Sequence, residues 1–260
     1  MSSLHADPLG PHSDVVSTAR LLLESKGRRA AQQFLVEGPQ NVIAAIENSL
    51  AKYVLTISQS EVSDLASTNG IKAFRISEAA SKTLSDTKTP QGVFAVCEIP
   101  QSELENLQIK NYVVVLDRVS DPGNVGTVIR TAAAFGADAV ISLAGSADIW
   151  SGKVIRSTAG AFAILPIFSQ VSEDEILQFL HKHSVSSFAL TGSGETQISD
   201  LDLSKPHAWL VGNEAGGLTE NLMMKADQRV SIPMSENVES LNAAMAAGIC
   251  SFASFTSINI

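Results

Sequence analysis

Cysteine, aromatic residues and long apolar runs are all scarce in this chain of 260 residues. Its two cysteines, Cys97 and Cys250, are far apart and belong to no CxxC or Cys/His cluster, which argues against a metal site and favours small apolar roles in a reducing cytoplasm. No apolar run approaches the roughly 20 residues of a transmembrane helix. The polar residues 1–14 predict a flexible tail and lack the apolar core of a secretory signal.

Basic charge is scarce as well. The formal net charge is −9, with −3 in residues 1–106 (9 basic, 12 acidic) and −6 in residues 107–260 (9 basic, 15 acidic). Neither part has the basic excess that is typical of nucleic-acid-binding domains. Lys26, Arg28 and Arg29 form the densest basic cluster, which is either a solvated helix end or a phosphate contact.

Residues 15–98 alternate between helical and strand-like segments, which predicts a compact α/β domain. The predicted helices cover residues 15–25, 39–50, 60–67 and 77–84, and the predicted strands cover 33–36, 53–57, 73–76 and 91–97. Residues 99–110 contain Pro100 and lack a hydrophobic period, so we predict an interdomain linker there.

Residues 111–260 also alternate between strands and helices, which predicts a parallel sheet. The first strand, Tyr112–Leu116, is continuously apolar, as expected when both faces of a parallel sheet are covered. The predicted strands cover 112–116, 139–143, 164–168, 187–191, 208–211 and 230–232, and the predicted helices cover 124–135, 154–161, 173–182, 221–226 and 240–255.

Three separated segments of this domain place polar residues beside glycine or proline and next to short apolar runs. They are residues 117–130, residues 210–218, and residues 232–234 with 240–242. Such polar residues are poor core material, and the loops that follow strands are where parallel α/β domains bind ligands. The three segments therefore predict one composite site.

Three polar residues of the segments also have a structural interpretation. Asn124 and Ser240 precede predicted helices and could be their N-caps. Arg130 lies in an apolar part of its helix, where its structural alternative is a buried ion pair with Asp117 or Glu214. These alternatives remain open at the level of sequence.

The glycines of this domain match neither of two common nucleotide-binding patterns in full. The turn at residues 212–217 is glycine-rich, but no Lys-Ser/Thr pair follows it, which excludes a P-loop. Residues 191–194 supply only GxG, with Gln197 in place of the third glycine, so a nucleotide-dependent oxidoreductase is a weak alternative. Glu214 in the turn favours a cationic or zwitterionic ligand over a pyrophosphate.

The three segments resemble, in order and spacing, the motifs of the SpoU/TrmH family of RNA ribose 2′-O-methyltransferases, which belongs to the SPOUT class. Asn124-x-Gly126-x-x-x-Arg130 resembles the first motif, residues 212–218 (GNEAGGL) the second, and residues 232–234 with 240–242 the third. Residues 156–161 and 165–166 resemble a stretch between the first two motifs. Residues 34–39 and 89–93 resemble the small substrate-binding domain that many members carry.

The resemblance implies an α/β methyltransferase domain at residues 111–260 with a parallel sheet and a C-terminal trefoil knot, preceded by a small α/β RNA-binding domain at residues 15–98. It implies S-adenosylmethionine as cofactor and a homodimer whose site is completed at the interface. By motif position, the cofactor would contact Thr191, Gly192, Gly212, Asn213, Gly217, Ile232 and Leu241.

The resemblance also assigns catalytic roles to five residues: Arg130, Asn124, Glu214, Ser240 and Asn242. A guanidinium stays protonated near neutral pH, so we interpret Arg130 as a clamp on a phosphate or on the developing oxyanion, not as the base. Asn124 would orient the ribose, and Glu214 would hold Arg130 or the cofactor. Ser240 and Asn242 would shape the pocket and support Arg130, and this chemistry needs no metal.

RNA is the implied partner, and the architecture of the accessory domain favours rRNA over tRNA as substrate. We expect RNA contacts from a set of basic residues: Arg28, Arg29, Lys88, Arg156 and Arg130. Glu236 stands where many members have glycine. Together with the acidic composition, Glu236 leaves a non-catalytic RNA-binding paralogue as an alternative.

Overall fold

A computed structural model describes residues 7–235, 237–238 and 240–258, so part of the expected tail and Glu236 lie outside the described residues. The chain divides into two compact units. Unit 1 comprises Met1–Gln101 and Trp150–Ile164, and unit 2 comprises Ser102–Ile149 and Leu165–Ile260. The division after Gln101 falls inside the segment expected to be a linker, whereas residues 150–164, which the sequence assigned to the second domain, pack with unit 1.

The elements are numbered here in chain order. The helices are α1 (Asp14–Leu21), α2 (Ser25–Ala31), α3 (Pro39–Glu47), α4 (Glu61–Thr68), α5 (Glu78–Thr83), α6 (Pro122–Ala134), α7 (Gly152–Thr158), α8 (Glu173–Lys182), α9 (Glu220–Lys225) and α10 (Ala243–Ile258). The strands are β1 (Gln33–Glu37), β2 (Ala51–Thr56), β3 (Lys72–Arg75), β4 (Val93–Glu98), β5 (Tyr112–Leu116), β6 (Ala139–Leu143), β7 (Ile167–Val171), β8 (Ser186–Leu190), β9 (Thr196–Gln197), β10 (His207–Val211) and β11 (Gln228–Ser231).

Unit 1 is built on a mixed sheet with the strand order β1-β4-β2-β3. Strand β4 runs antiparallel to β1 and β2, and β3 runs parallel to β2. Leu35, Leu55 and Phe94, from three neighbouring strands, form a buried cluster with Val16 of α1. The sheet and its helix thus remove their apolar faces from water together, as expected of an α/β domain.

The helix predicted for residues 15–25 ends earlier, at Leu21, and a separate helix that was not predicted, α2, follows it. The turn between α1 and α2 requires glycine at residue 27, since a Cβ there would lie 1.9 Å from the carbonyl oxygen of Leu21. The guanidinium of Arg28 donates to the carbonyl oxygens of Leu22 and Leu23, each at 2.8 Å. A side chain of α2 therefore satisfies the carbonyl groups left without partners where α1 ends.

Unit 2 contains a seven-stranded sheet with the order β7-β6-β5-β10-β8-β11-β9. All neighbouring strands in it are parallel, which confirms the predicted architecture. Strands β5 and β10 are neighbours inside the sheet, and every residue of both is buried. Coverage of both faces explains why these strands, apart from His207 at the start of β10, are apolar and do not alternate.

Two elements of unit 2 begin later than predicted. Strand β7 starts at Ile167 and not at residue 164, because residues 161–163 form a short 3-10 helix before it. Helix α10 starts at Ala243 and not at residue 240. Strand β9 was not predicted, since two residues are too short to show a period of two.

Both cysteines are buried, Cys97 in β4 and Cys250 in α10. Burial raises the pKa of both thiols, because a thiolate there would lose its hydration. They therefore remain protonated at neutral pH and pack as small apolar groups, as expected from the sequence.

Candidate active site

The polar segments converge because the strands before them are neighbours in a parallel sheet. Strands β5, β10, β8 and β11 are adjacent in this order, so the loops after them emerge at one edge. The amide of Thr191, after β8, donates to the carbonyl of Val230 in β11 at 3.0 Å. The amide of Asp117, after β5, donates to the carbonyl of Val211 in β10 at 2.8 Å.

A cavity of about 350 Å³ lies at this edge, and we call it the carboxyl-edge cavity. Its lining includes all the residues expected to hold the cofactor: Thr191, Gly192, Gly212, Asn213, Gly217, Ile232 and Leu241. Glu214 and Ser240 line it as well. Its apolar wall consists of residues to which the sequence assigned no role in the site: Leu190, Val211, Leu218, Met223, Val230, Met234, Ala243 and Ala246. Several of these residues end strands, which is a position that could have indicated them.

The turn from Asn213 to Gly217 forms one side of the carboxyl-edge cavity. The backbone groups of these two residues bond reciprocally at 3.1 and 2.9 Å. Oδ1 of Asn213 accepts from the amides of Ala215 and Gly216 at 2.9 and 3.2 Å. Gly217 has a φ of +63°, which favours glycine. Gly212 has no room for a side chain, since a Cβ there would lie 2.3 Å from the carbonyl carbon of Gly217.

Asp117 and Arg118, to which the sequence assigned no role in the site, tie this turn to the loop after β5. Arg118 donates to both carboxylate oxygens of Asp117, at 3.1 and 3.2 Å, and to the carbonyl of Gly217 at 3.2 Å. Asn213 donates in return to the carbonyl of Arg118 at 2.9 Å. The buried carboxylate of Asp117 also accepts from the amide of Thr219 at 2.9 Å. The hydrogen bond from Arg118 to Asp117 raises the pKa of Arg118.

Asn124, Glu214 and Asn242 connect the three motifs through side-chain hydrogen bonds, and we call them the polar bridge. Nδ2 of Asn124 donates to Oε1 of Glu214. Oδ1 of Asn124 accepts from Nδ2 of Asn242 at 3.1 Å. One residue from each motif thus meets the others beside the cavity that Glu214 lines.

Neither Asn124 nor Ser240 is the N-cap that its position suggested. Helix α6 is capped by Asp121, whose Oδ1 accepts from the amide of Asn124 at 2.9 Å. Helix α10 is capped by Asn242, whose Oδ1 accepts from two amides of the first turn at 2.9 and 3.3 Å. Because Asp121 caps α6, the side chain of Asn124 is available for the polar bridge.

Arg130 is exposed on α6 and does not line the carboxyl-edge cavity. The structural alternative for Arg130, a buried ion pair with Asp117 or Glu214, is not found: Asp117 binds Arg118 and Glu214 accepts from Asn124. Six residues rotate a helix by about 240°, so Arg130 projects from a different face of α6 than Asn124 does.

The basic residues of unit 1 have different environments. Arg28 is only 5% exposed and bonds the turn between α1 and α2, so the expected phosphate contact by Arg28 is wrong. Arg156 of α7 is half-buried and pairs with Glu37 at 3.2 Å and Asp86 at 2.7 Å. Arg29 and Lys88 are exposed.

The carboxyl-edge cavity suits an organic ligand that is partly apolar and carries positive charge. Its apolar wall can take a flat heterocycle, and its polar groups can orient the remainder. In the described part of the chain, no group of His, Cys, Asp and Glu side chains could hold a metal ion. None of the helices described is both long and apolar enough to cross a membrane.

Comparison with known proteins assigns each part of the chain to a family. Residues 111–252 match the SpoU rRNA Methylase family. Residues 14–95 match the MRM3-like substrate binding domain. The two matches cover the three motifs and the accessory region, respectively.

Similar proteins span nearly the whole chain. The 23S rRNA (guanosine(2553)-2′-O)-methyltransferase RlmP of Bacillus subtilis is 34% identical, over 86% of this chain and 89% of its own. A 23S rRNA (uridine(2479)-2′-O)-methyltransferase of Streptomyces viridochromogenes is 30% identical, over 87% and 84%. The crystal structure of an AdoMet-bound rRNA methyltransferase from Sinorhizobium meliloti matches with a TM-score of 0.85 at 29% identity, over 95% of this chain and 97% of that one.

Proposed function

Because the chain belongs to the SpoU rRNA methylase family, we propose that it is an S-adenosylmethionine-dependent rRNA ribose 2′-O-methyltransferase. The polar bridge carries this proposal, since it joins one residue from each motif beside a cavity of about 350 Å³. Ribosomal RNA is favoured as substrate because two relatives that match most of the chain are named 23S rRNA 2′-O-methyltransferases.

S-adenosylmethionine would bind in the carboxyl-edge cavity. The apolar wall suits its adenine ring, and the carboxylate of Glu214 favours a cation in the same cavity. Gly216 and Gly217 leave open space where other residues would carry a Cβ, so a ligand can approach the backbone there. When bound, the cofactor supplies a methyl group that its sulfonium already activates.

The residues of the protein would align the ribose hydroxyl and stabilise its developing negative charge. Alignment alone can contribute about 7–11 kcal/mol to lowering the barrier. Asn124 would orient the ribose, and its amide is itself held on two sides by Glu214 and Asn242. The proton would pass to a substrate phosphate or to water, since the guanidinium of Arg130 cannot accept it near neutral pH.

A homodimer in which Arg130 of one subunit completes the site of the other would explain why Arg130 lies outside the cavity of its own subunit. Met245 and Phe252 of α10 are 58% and 54% exposed, and the ring of Phe252 lies 5.6 Å from that of Phe135 at the end of α6. Exposed large apolar side chains on one helix are typical of an interface. Arg130 then clamps the substrate phosphate or the oxyanion.

Subunit complementation tests this arrangement of Arg130. Arg130→Ala and Asn124→Ala proteins, each inactive alone, should regain activity when mixed, because the mixed dimer contains one intact composite site. Absence of recovery, in mixtures that sedimentation shows to be mixed dimers, would place Arg130 in its own subunit's site. Near-normal activity of Arg130→Lys with an unchanged pH–rate profile would show that no bidentate fork is needed.

A trefoil knot in unit 2 is supported by the close approach of backbone segments. A Cβ on Gly194 would lie 2.4 Å from the carbonyl carbon of Val230 in β11. Only glycine leaves room for this approach of two separate segments, as tight threading of the chain would require. A cytoplasmic location stays a prediction from the two isolated cysteines.

Two measurements test the proposed function. Calorimetry should detect binding of S-adenosylmethionine to the purified protein, and a map of 2′-O-methyl groups in total RNA should lose one 23S rRNA position when the gene is deleted. A lost position in tRNA would make tRNA the substrate. Binding of S-adenosylmethionine with no lost position would favour the non-catalytic paralogue, and no binding would overturn the proposal.

A further inference from the structure

Unit 1 contains a second cavity, which lies at the start of α3 and has no residue of the three motifs in its lining. It measures about 250 Å³, and we call it the Asn41 cavity. Its lining has no aromatic and no large apolar side chain, so a ligand there would be held by hydrogen bonds and not by stacking on a ring or by apolar contacts. The polar and charged side chains of its lining include Glu37, Gln40, Asn41, Thr87, Gln91 and Arg156.

Asn41 contributes a buried acceptor with no partner. The residue is 7% exposed, and its Nδ2 donates to the carbonyl of Glu37 at 3.2 Å. Its Oδ1 is buried and has no hydrogen-bond partner among the described residues. A buried acceptor without a donor costs about 1–3 kcal/mol. Native proteins rarely keep such a group without a reason, and a ligand donor is one.

The charged groups of the Asn41 cavity are already paired with one another. Glu37 accepts from Ser85 at 2.7 Å and from Arg156 at 3.2 Å. Arg156 also pairs with Asp86 at 2.7 Å. One guanidinium thus faces two carboxylates, which leaves this cluster with an excess of negative charge. A phosphate or carboxylate inside the cavity is disfavoured, and a neutral donor is favoured.

Donors and acceptors both belong to the lining of the cavity. The amides of Gln40 and Asn41 belong to the first turn of α3, where helical N–H groups have no acceptor within the helix. Together with Asn41 Oδ1, these amides can bind a ligand whose edge carries both a hydrogen-bond donor and an acceptor. Unpaired nucleobases present such an edge. Lys88 is exposed and stands in the chain between the lining residues Thr87 and Thr89, where it can meet a phosphate.

We propose that the Asn41 cavity binds one unpaired nucleobase that bears an exocyclic amino group, with Asn41 Oδ1 accepting from that group and Lys88 contacting the adjoining phosphate. The inference rests on the proposed function only in taking RNA as the substrate. It concerns recognition of the RNA and not transfer of the methyl group. Adenine, cytosine and guanine carry the amino group, and uracil does not.

Binding of short single-stranded RNAs to the full-length protein tests the proposal. Fluorescence anisotropy should show tighter binding of oligo(A) and oligo(C) than of oligo(U). Asn41→Ala should weaken the first two by about tenfold and leave oligo(U) unchanged. Asn48→Ala, at the other end of α3, is the matched control and should have no effect. Lys88→Ala should weaken all three RNAs equally, whereas Lys82→Ala should not.

A second variant keeps the test valid if Asn41→Ala unfolds. Gln91 is exposed and lines the cavity, so Gln91→Trp should fill the cavity and remove the preference for oligo(A) and oligo(C) without touching the core. Equal affinity of the wild-type protein for the three RNAs, or an unchanged preference in both folded variants, would overturn the proposal. Calorimetry with S-adenosylmethionine does not involve Asn41, and the methylation map compares cells with and without the gene, so failure of the methyltransferase function would be seen separately.

Discussion

The carboxyl-edge cavity of unit 2 has an apolar wall and, beside it, polar groups that bond to one another, whereas the Asn41 cavity of unit 1 is lined mainly by polar side chains and keeps one buried acceptor unpaired. In the first, Asn124, Glu214 and Asn242 hold each other in place before any ligand arrives. In the second, Glu37 and Arg156 satisfy each other and leave Asn41 for a ligand. The difference teaches that the first cavity is organised for chemistry and the second for recognition by hydrogen bonding.

Among variants that separate the two cavities, we expect the largest loss of stability from Gly212→Ala, which alters only the carboxyl-edge cavity. The added Cβ would lie 2.3 Å from the carbonyl carbon of Gly217, and backbone cannot move aside as a side chain can. We expect a loss of at least about 4 kcal/mol in the free energy of unfolding, together with loss of S-adenosylmethionine binding. Gly216→Ala is the matched control, since its Cβ would meet nothing within 4 Å, and it should melt like the wild type.

Removing the centre of the polar bridge should affect the rate more than the fold. Asn124→Ala should lower the rate of methyl transfer about 100-fold to 1,000-fold, because the ribose loses an oriented hydrogen bond. Asn106→Ala removes another Asn–Glu hydrogen bond of unit 2, that of Asn106 with Glu103, and should leave the rate unchanged. An equal loss in both variants, measured with saturating cofactor and RNA, would contradict a special role for the bridge.

Breaking the ion pair of the Asn41 cavity should affect stability and leave methyl transfer at saturating RNA unchanged. Arg156→Ala leaves the buried carboxylate of Glu37 without its cation, which we expect to cost about 2 kcal/mol in unfolding free energy. Lys153→Ala, an exposed change on the same helix, should cost close to nothing. If denaturant titration finds the two variants equal, the pair contributes no net stability.

The smallest effect concerns pH and the buried His207 of β10. Its Nε2 lies 2.7 Å from Oγ of Ser254, and burial lowers its pKa below the usual value. The unfolded chain therefore takes up a proton at higher pH than the folded chain does, so stability should fall as the pH drops through about 6.5. His207→Gln should flatten the melting temperature between pH 7 and pH 5, whereas exposed His181→Gln should not.

Much of unit 2 follows from its sequence, because continuous apolar runs and polar loops repeat along the chain. Asn124, Glu214 and Asn242 could be singled out, since polar residues beside glycine mark loops. The hydrogen bonds among these three residues could not be predicted. The sequence offers Asn124 and Ser240 as N-caps, and only the folded structure shows that Asp121 and Asn242 cap the two helices instead. Asp117 and Arg118 were missed as supports of the Asn213–Gly217 turn because their partners lie about a hundred positions away in the chain.

The arginines show which properties of the protein depend on local sequence and which depend on the tertiary structure. The sequence by itself determined the alternation of strands and helices, the parallel sheet and the three polar segments, since these depend on local periodicity and turn chemistry. Only the tertiary structure decided that Arg28 is buried, that Arg156 is paired and that Arg130 is exposed. The reason is physical: the environment of a charge depends on which distant groups fold against it, and local sequence carries no record of them.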